Sequence, residues 1–309
     1  MGRSLAITLA AALLIAGCAG AQPPLLRNAD TQTRYVAPAK TEALLYVGNP
    51  AEGTVEVYSY AQHAHLQTLT GFESPAGLCA DTHGNVFVTD ARARTVVEYA
   101  HGGTSPIATL KTTLYYPDAC DVDSRTGNLA VAASSSTSGT GGLLVFPKAR
   151  GNPLAYLDPS LYHDAACGYD AGGDVFVDGE SRNGTFELAE LRSGEGSLIP
   201  VTLNETIAIP IGIQNEGGYL AFGAGGSGAR RGEQSAILHV IVTGKSARVV
   251  QTTHIQGAER AFFIDGSTLV GSDGADDRVR FFTYPKGGLE STPIHLVQPS
   301  GVAVSAAKD

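Results

Sequence analysis

The sequence is poor in several features that define common functional classes. Among its 309 residues it has no tryptophan, one methionine and four cysteines, and only 17% of the residues are charged. So low a charge content excludes a disordered polyelectrolyte. The net charge of −9 disfavours nonspecific attraction to nucleic acid or to anionic lipid headgroups. We therefore expect no nucleic-acid partner.

Recognisable catalytic patterns are missing as well. The eight histidines form no His-x-x-x-His pair, no Cys-x-x-Cys pair occurs, and no Gly-x-Ser-x-Gly nucleophile motif is found. Glycine, by contrast, is abundant at 38 residues, and 15 prolines accompany it. This composition favours many short strands joined by tight turns, and it favours a binding role over an enzymatic one.

The first 18 residues predict export and lipidation. Arg3 precedes an apolar run from Leu5 to Ile15, which is shorter than the roughly 20 residues that a membrane-spanning helix needs. The sequence Ile-Ala-Gly-Cys that ends at Cys18 resembles the lipobox of bacterial lipoprotein signal peptides. The resemblance implies that Cys18 becomes the lipidated N-terminus of the mature protein. The alternative is an ordinary secretory signal with a chance cysteine.

This resemblance also predicts the location and the domain plan. Ala19 stands where an aspartate would signal retention in the inner membrane, which favours the outer membrane, facing the periplasm, in a host with two membranes. Residues 1–17 would be the signal peptide, residues 18–40 the lipidated cysteine with a flexible tether, and residues 41–309 the folded domain. We expect a monomer that touches the membrane through its lipid anchor only.

The folded part repeats a pattern of four short strands. Repeat units start at residues 75, 117, 164, 210 and 259, and a Gly-Asn or Gly-Asp turn recurs between the first and second strands. Residues 299–304 look like a first strand, whereas residues 44–58 look like second and third strands that lack a first. A closed ring would let the C-terminal strand complete the first unit and would remove an exposed edge. Six units result.

The repeated Pro-x-Gly and Asp-x-x-Gly-Asn motifs resemble those of NHL-type six-bladed β-propellers over residues 44–306. The resemblance implies an all-β fold, a six-bladed β-propeller of four-stranded antiparallel blades, closed by the C-terminal strand in blade 1. Several superfamilies with unrelated activities share this pattern, so it predicts the fold and not the function.

Strand polarity predicts which side chains share a face. The loops between second and third strands and the connections that lead into each blade lie on the same side of the ring, where binding sites on rigid scaffolds tend to occur. The candidate ligand-face residues are Asn49, Asp90, Arg92, Asp118, His163, Asp164, Asp178, Glu180, Arg182, Glu259, Arg260 and Asp273.

Three of these residues, Asp90, Asp178 and Asp273, occupy corresponding ends of second strands, with Asn49 at the same place in blade 1. A ring of such oxygens could hold Ca²⁺ or another divalent cation. The alternative, which we favour, is that each side chain caps its loop by accepting backbone N–H bonds. We therefore predict no cofactor, with these three aspartates as the metal candidates.

The other three cysteines fall in first strands. Cys120 and Cys167 align with Leu78, a position that is apolar in the other repeats, and Cys79 is one residue out of phase. We expect buried, unpaired thiols, with a disulfide or a metal site as the less favoured alternative.

The leading functional interpretation is an exported, lipid-anchored propeller that binds an envelope protein or a small ligand. One alternative is a divalent-metal-dependent hydrolase, because the gluconolactonase family resembles this fold and holds a divalent ion near the axis. Asn49 and Glu259 could join the three aspartates in such a site. A structural role in an envelope assembly is the third hypothesis.

Overall fold

The computed structural model describes residues 42–225 and 234–306, without the side chains of residues 164 and 165. The predicted signal peptide, the lipidation site Cys18 and the tether lie outside the described residues and stay predictions. Within the described ranges, no helix is long and apolar enough to cross a membrane. Every described residue belongs to the same compact unit, Tyr35–Asp309.

The first half of the chain forms three antiparallel sheets with their strands in sequence order. Blade 1 contains β1 (Leu44–Asn49), β2 (Thr54–Ser59) and β3 (His65–Thr70). Blade 2 contains β4 (Pro75–Ala80), β5 (Val86–Asp90), β6 (Thr95–Tyr99) and β7 (Pro106–Lys111). Blade 3 contains β8 (Tyr115–Val122), β9 (Leu129–Ser135), β10 (Gly141–Phe146) and β11 (Leu154–Asp158), with a 3-10 turn at Pro147–Ala149.

The second half forms three more sheets, two of which gain a short extra strand. Blade 4 contains β12 (His163–Tyr169), β13 (Val175–Glu180), β14 (Phe186–Leu191) and β15 (Ile199–Pro200). Blade 5 contains β17 (Pro210–Glu216), β18 (Tyr219–Ala224), β19 (Gln234–Thr243) and β20 (Ser246–Gln256), and β16 (Thr202–Leu203) adds to it in parallel. Blade 6 contains β21 (Glu259–Asp265), β22 (Thr268–Asp273), β23 (Arg278–Thr283), β24 (Gly288–Leu289) and β25 (Ile294–His295).

The last strand, β26 (Val302–Ser305), closes the ring as the sequence predicts. It pairs antiparallel with β1, with Leu45 opposite Val304 and Val47 opposite Val302. The order of the first sheet is therefore β26-β1-β2-β3. β26 thus supplies the inner strand of blade 1, the place that the first strand of the repeat takes in the other blades. The predicted fold class, an all-β six-bladed propeller, is confirmed.

The hydrophobic core is divided among the six contacts between neighbouring blades. Alternate side chains of one strand face the blade before and the blade after, because successive residues of a strand point to opposite faces. In β5, Val88 packs in the cluster between blades 1 and 2, whereas Phe87 packs in the cluster between blades 2 and 3. Both faces of the blades are thus buried, and this is why the second strands read as continuous apolar runs.

One sequence expectation is wrong: two of the cysteines are not thiols. Cys79 and Cys120 form a disulfide between the inner strands of blades 2 and 3, with their Cα atoms 5.7 Å apart. The one-residue offset between the two positions makes the disulfide possible. Because of it, the Cys79 side chain faces blade 3 and the Cys120 side chain faces blade 2, so both enter the space between these blades. Cys167 lies outside the disulfide, and its buried thiol donates to the carbonyl of Ala119.

Candidate functional site

The loop face of the ring is the side on which second strands end and inner strands begin. Its loops comprise residues 50–53, 91–94, 136–140, 181–185 and 274–277. Asn49, Asp90 and Asp273 are the last residues of β1, β5 and β22, as predicted. Asp178 does not share their position, because it pairs with Ala166 at the level where Ser272 pairs with Ala261, one residue before the level of Asp273. All four side chains are buried.

Three of these four side chains cap loops. The Asp90 carboxylate accepts the backbone N–H groups of Glu73 at 2.8 Å and Ser74 at 2.9 Å, and it also accepts that of Ala93. Asp273 accepts the N–H groups of Ala258, Ala275 and Asp276, and Asn49 Oδ1 accepts that of Glu52. Their oxygens thus satisfy loop backbone, the favoured alternative at the sequence level. Among residues 42–225 and 234–306, no group of three or more His, Cys, Asp or Glu side chains is placed to hold a metal ion.

Glu259 belongs to a buried ionic cluster under the loop face. Arg280 contacts Glu259 at 3.4 Å, Asp276 at 2.7 Å and also Asp273, which accepts a short hydrogen bond from it. Burial, together with the nearby Asp273 charge, raises the pKa of Glu259 to about 8 against the opposing effect of Arg280. Burial also acts to raise the pKa of Asp273, but the Arg280 hydrogen bond and the backbone N–H donors hold it below its usual value. The two carboxyl groups therefore carry different charges at neutral pH.

The inner strands enclose a small cavity on the ring axis. Its volume is about 110 Å³. The lining includes Leu78, Ile213, Phe262 and Val302, with the disulfide and Cys167 among them. The strands approach so closely that a β-carbon at Gly77 would lie 2.7 Å from the Cα of Ala119. This contact explains the glycine of the Pro-x-Gly motif.

A second cavity of about 190 Å³ forms the mouth of this axial space on the loop face. Asp118 of β8 and Arg260 of β21 line it, together with Ile211 and small residues of β4, β8, β21 and the segment before β26. Burial raises the pKa of Asp118 to about 6. Two of the predicted ligand-face residues are thus brought to one concave site.

The remaining candidates lie around the rim. Arg182 is exposed, and its guanidinium lies 4.8 Å from the centre of the Tyr162 ring. His163 is exposed beside Tyr162 and pairs across the strands with Glu180. Arg92 is exposed in the loop after β5 and lines neither cavity. The backbone of Asp164 pairs with Gly179, and its side chain is outside the described part of the chain.

Strand polarity places Tyr116 on the loop face, but neither Tyr116 nor Tyr162 is among the selected candidate site residues. Arg94 lies over the Tyr116 ring at 4.7 Å and donates to its hydroxyl at 3.0 Å. Tyr116 and Tyr162 each stand one or two residues before the Pro117 or Asp164 position at which a repeat unit starts. That shared placement is the sequence signal that could have identified them.

Comparisons with known proteins confirm the fold. No protein-family model matches the chain, and no curated protein matches it. The solved structures that resemble it include a chain of a nidogen–laminin complex, with a TM-score of 0.67 and 13% identity, covering 86% of this chain and all of that one.

Two further structures are similar over most of their length. A protein of unknown function from Bacteroides caccae has a TM-score of 0.60 and 11% identity and covers 86% of this chain and 99% of its own. Hydrazine synthase of Kuenenia stuttgartiensis has a TM-score of 0.59 and 11% identity, covering 90% and 92%. At these identities the likeness shows the propeller fold alone.

Proposed function

We propose that this chain is an exported, lipid-anchored β-propeller of NHL type that binds an envelope protein through its loop face. The observation that carries the proposal is a pair of Arg–Tyr contacts on neighbouring blades, Arg94 on Tyr116 and Arg182 on Tyr162. Arginine and tyrosine are, with tryptophan, the residue types enriched among the side chains that carry most of the binding energy at protein interfaces. The lipid anchor would hold this face near other envelope proteins.

The surroundings of the first pair support a protein partner. Leu114, in the connection that leads into blade 3, is 54% exposed, and Tyr116, the second residue of β8, is 39% exposed. Ser136 in the next loop donates its N–H to the Leu114 carbonyl, so this apolar residue is held in place. A stacked guanidinium also keeps the tyrosine ring in a defined orientation, which lowers the entropy cost of binding.

The likeness to a chain of the nidogen–laminin complex supports the proposal at the level of the scaffold. That protein was crystallised in a complex with a protein partner. The propeller scaffold is therefore compatible with protein recognition, and the loop side chains of this chain would determine its own partner.

Site-specific photocrosslinking tests the proposal. A benzoylphenylalanine at position 116 or 162, in cells of the source organism, should give a discrete adduct of higher mass on irradiation. The matched control is position 219, because Tyr219 is 42% exposed at the start of β18, next to the β17–β18 turn on the opposite face. Arg94→Ala should weaken the adduct formed from position 162, since it removes part of the same surface.

Two outcomes would contradict the loop-face assignment. One is the absence of an adduct from both loop-face positions while the protein is folded and exported. The other is an adduct of equal yield from position 219.

A further inference from the structure

The mouth of the axial cavity holds one acidic and one basic side chain from opposite blades. Asp118 lies at the register shift of β8 in blade 3 and Arg260 at that of β21 in blade 6, and these blades face each other across a ring of six. Within the described part of the chain, neither side chain forms an ion pair or a hydrogen bond. Their charges are therefore available to a ligand.

The rest of the mouth limits the size of that ligand. It is lined by Ala76, Gly77, Ala119, Ile211, Ala261, Ser300 and Gly301. Its volume of about 190 Å³ is smaller than the roughly 300–1,000 Å³ of pockets for drug-sized molecules. A compound of about ten heavy atoms fits this scale, whereas a folded partner does not enter it.

The mouth opens onto apolar surface. Gly77, Ala119, Ile211 and Gly301 line both the mouth and the axial cavity, so the two spaces are continuous. Farther down the axis the lining is apolar and includes Leu78, Ile213, Phe262 and Val302. A ligand that enters would place its charges at the mouth and its apolar part toward the axis.

From these observations we infer that the mouth binds a free α-amino acid with an apolar side chain. The carboxylate would meet the Arg260 guanidinium, the ammonium group would meet the Asp118 carboxylate, and the side chain would point into the axial cavity. Charge-assisted hydrogen bonds at both ends are the strong kind, and a planar guanidinium matches a carboxylate. An ammonium ion would also offset the burial that raises the pKa of Asp118 to about 6.

This site does not depend on the rim contacts Arg94–Tyr116 and Arg182–Tyr162. Its failure would leave the proposed protein-binding role intact, and failure of the crosslinking experiment would leave this site intact.

Isothermal titration of the full-length protein in detergent with L-leucine tests the inference. We expect saturable binding at one site. Leucine amide lacks the carboxylate and N-acetyl-leucine lacks the ammonium group, so each should bind at least about tenfold more weakly. Dileucine separates the two charges and should bind at least about tenfold more weakly as well, which distinguishes a free amino acid from a peptide.

Substitutions of the two charged residues test whether leucine binds at the mouth. Asp118→Asn and Arg260→Gln should each weaken leucine binding at least about tenfold. The matched controls are Glu52→Gln and Arg92→Gln, which remove the same charges from exposed side chains of the loop face that do not line the mouth. Gly274→Ala is a second kind of variant, because a β-carbon there would collide with Nε of Arg260 and displace the guanidinium. It should weaken binding while all charges remain.

Three results would overturn the inference. The first is no saturable binding of leucine up to about 10 mM by protein with an unaltered melting curve. The second is equal loss in the control variants and in those of the mouth. The third is tighter binding of dileucine than of leucine.

Discussion

At the scale of single residues, the buried ionic cluster under the loop face gives different pKa values to two carboxyl groups that lie beside one arginine. Glu259 is 2% exposed, and its Oε2 has no hydrogen-bond partner among the described residues. Asp273 receives the backbone donors and the stronger contact with Arg280. Because the donors favour the ionised form of one carboxyl and burial favours the neutral form of the other, the pKa values move apart.

This separation predicts a pH-dependent stability. With its pKa raised to about 8, Glu259 keeps a proton in the folded state that the unfolded chain loses above about 4.3. The free energy of unfolding should therefore fall as the pH rises between these values, by up to about 1.4 kcal/mol per pH unit. Glu259→Gln cannot titrate and should remove this contribution.

Urea denaturation of wild-type protein and of Glu259→Gln measures the effect, from about pH 5 to about pH 8, where only the folded state holds the Glu259 proton. The difference in stability between the two proteins should shift in favour of the variant as the pH rises. Glu52→Gln, at an exposed position, serves as the control. Parallel curves for wild type and Glu259→Gln would refute the assignment.

The loop-capping residues show which properties of a site can be predicted from the alignment of sequence repeats. Alignment alone placed Asn49, Asp90 and Asp273 at equivalent strand ends, and the structure agrees. Alignment could not show where their oxygens point, because a cap and a metal ligand use the same residue types. The backbone N–H groups around Asp90 come from the connection into its blade and from the next loop, and only the folded chain brings these together.

At the scale of elements, the contact between β4 and β8 carries the disulfide. Repeat alignment compares phases within one blade, and it put Cys79 out of register with Cys120. Pairing depends instead on which neighbouring blade each side chain faces. A side chain that faces blade 3 from blade 2 meets one that faces blade 2 from blade 3, and these two sit at positions one residue apart in the repeat. Two cysteines at the same repeat position, such as Cys120 and Cys167, therefore face different interfaces.

This disulfide should stabilise the ring. It joins residues 41 positions apart, and the chain-entropy relation for a loop of this length gives about 4 kcal/mol. Cys79→Ala/Cys120→Ala should lower the free energy of unfolding by about that amount, as measured by urea denaturation.

Dithiothreitol provides the internal control for this prediction. It should lower the urea midpoint of the wild type and of Cys167→Ala, whose disulfide is intact, and leave the double variant unchanged. A wild-type midpoint that does not respond to reduction at equilibrium would contradict the pairing.

At the scale of the whole molecule, the two ends of the folded domain meet in one blade. β26 supplies the inner strand of blade 1, and Gly48 donates its N–H to the Gly301 carbonyl at 2.9 Å. Ser305 further contacts His101 of blade 2 at 2.7 Å. Pairing of the last strand with the first leaves the ring without an open seam between blades 6 and 1.

The predicted anchor belongs to this scale as well, because it would determine where the propeller works. If Cys18 is acylated, several acyl chains should hold the protein in the membrane fraction, at about 0.8 kcal/mol per buried methylene. Metabolic labelling with palmitate should mark the wild type and Cys167→Ala, but not Cys18→Ser. Labelled protein from Cys18→Ser, or an unlabelled wild type, would rule out the lipobox interpretation.

The sequence alone determined the number of blades, the order of strands and the closure at β26, because each depends on a pattern that recurs along the chain. It also placed Asp118 and Arg260 on the same face, since strand polarity follows from the repeat. Only the tertiary structure decided that these two residues share one cavity and that Cys79 reaches Cys120. The reason is physical: a repeat specifies each blade by local hydrogen bonding and alternation, whereas contacts across the axis or between blades depend on how the ring closes.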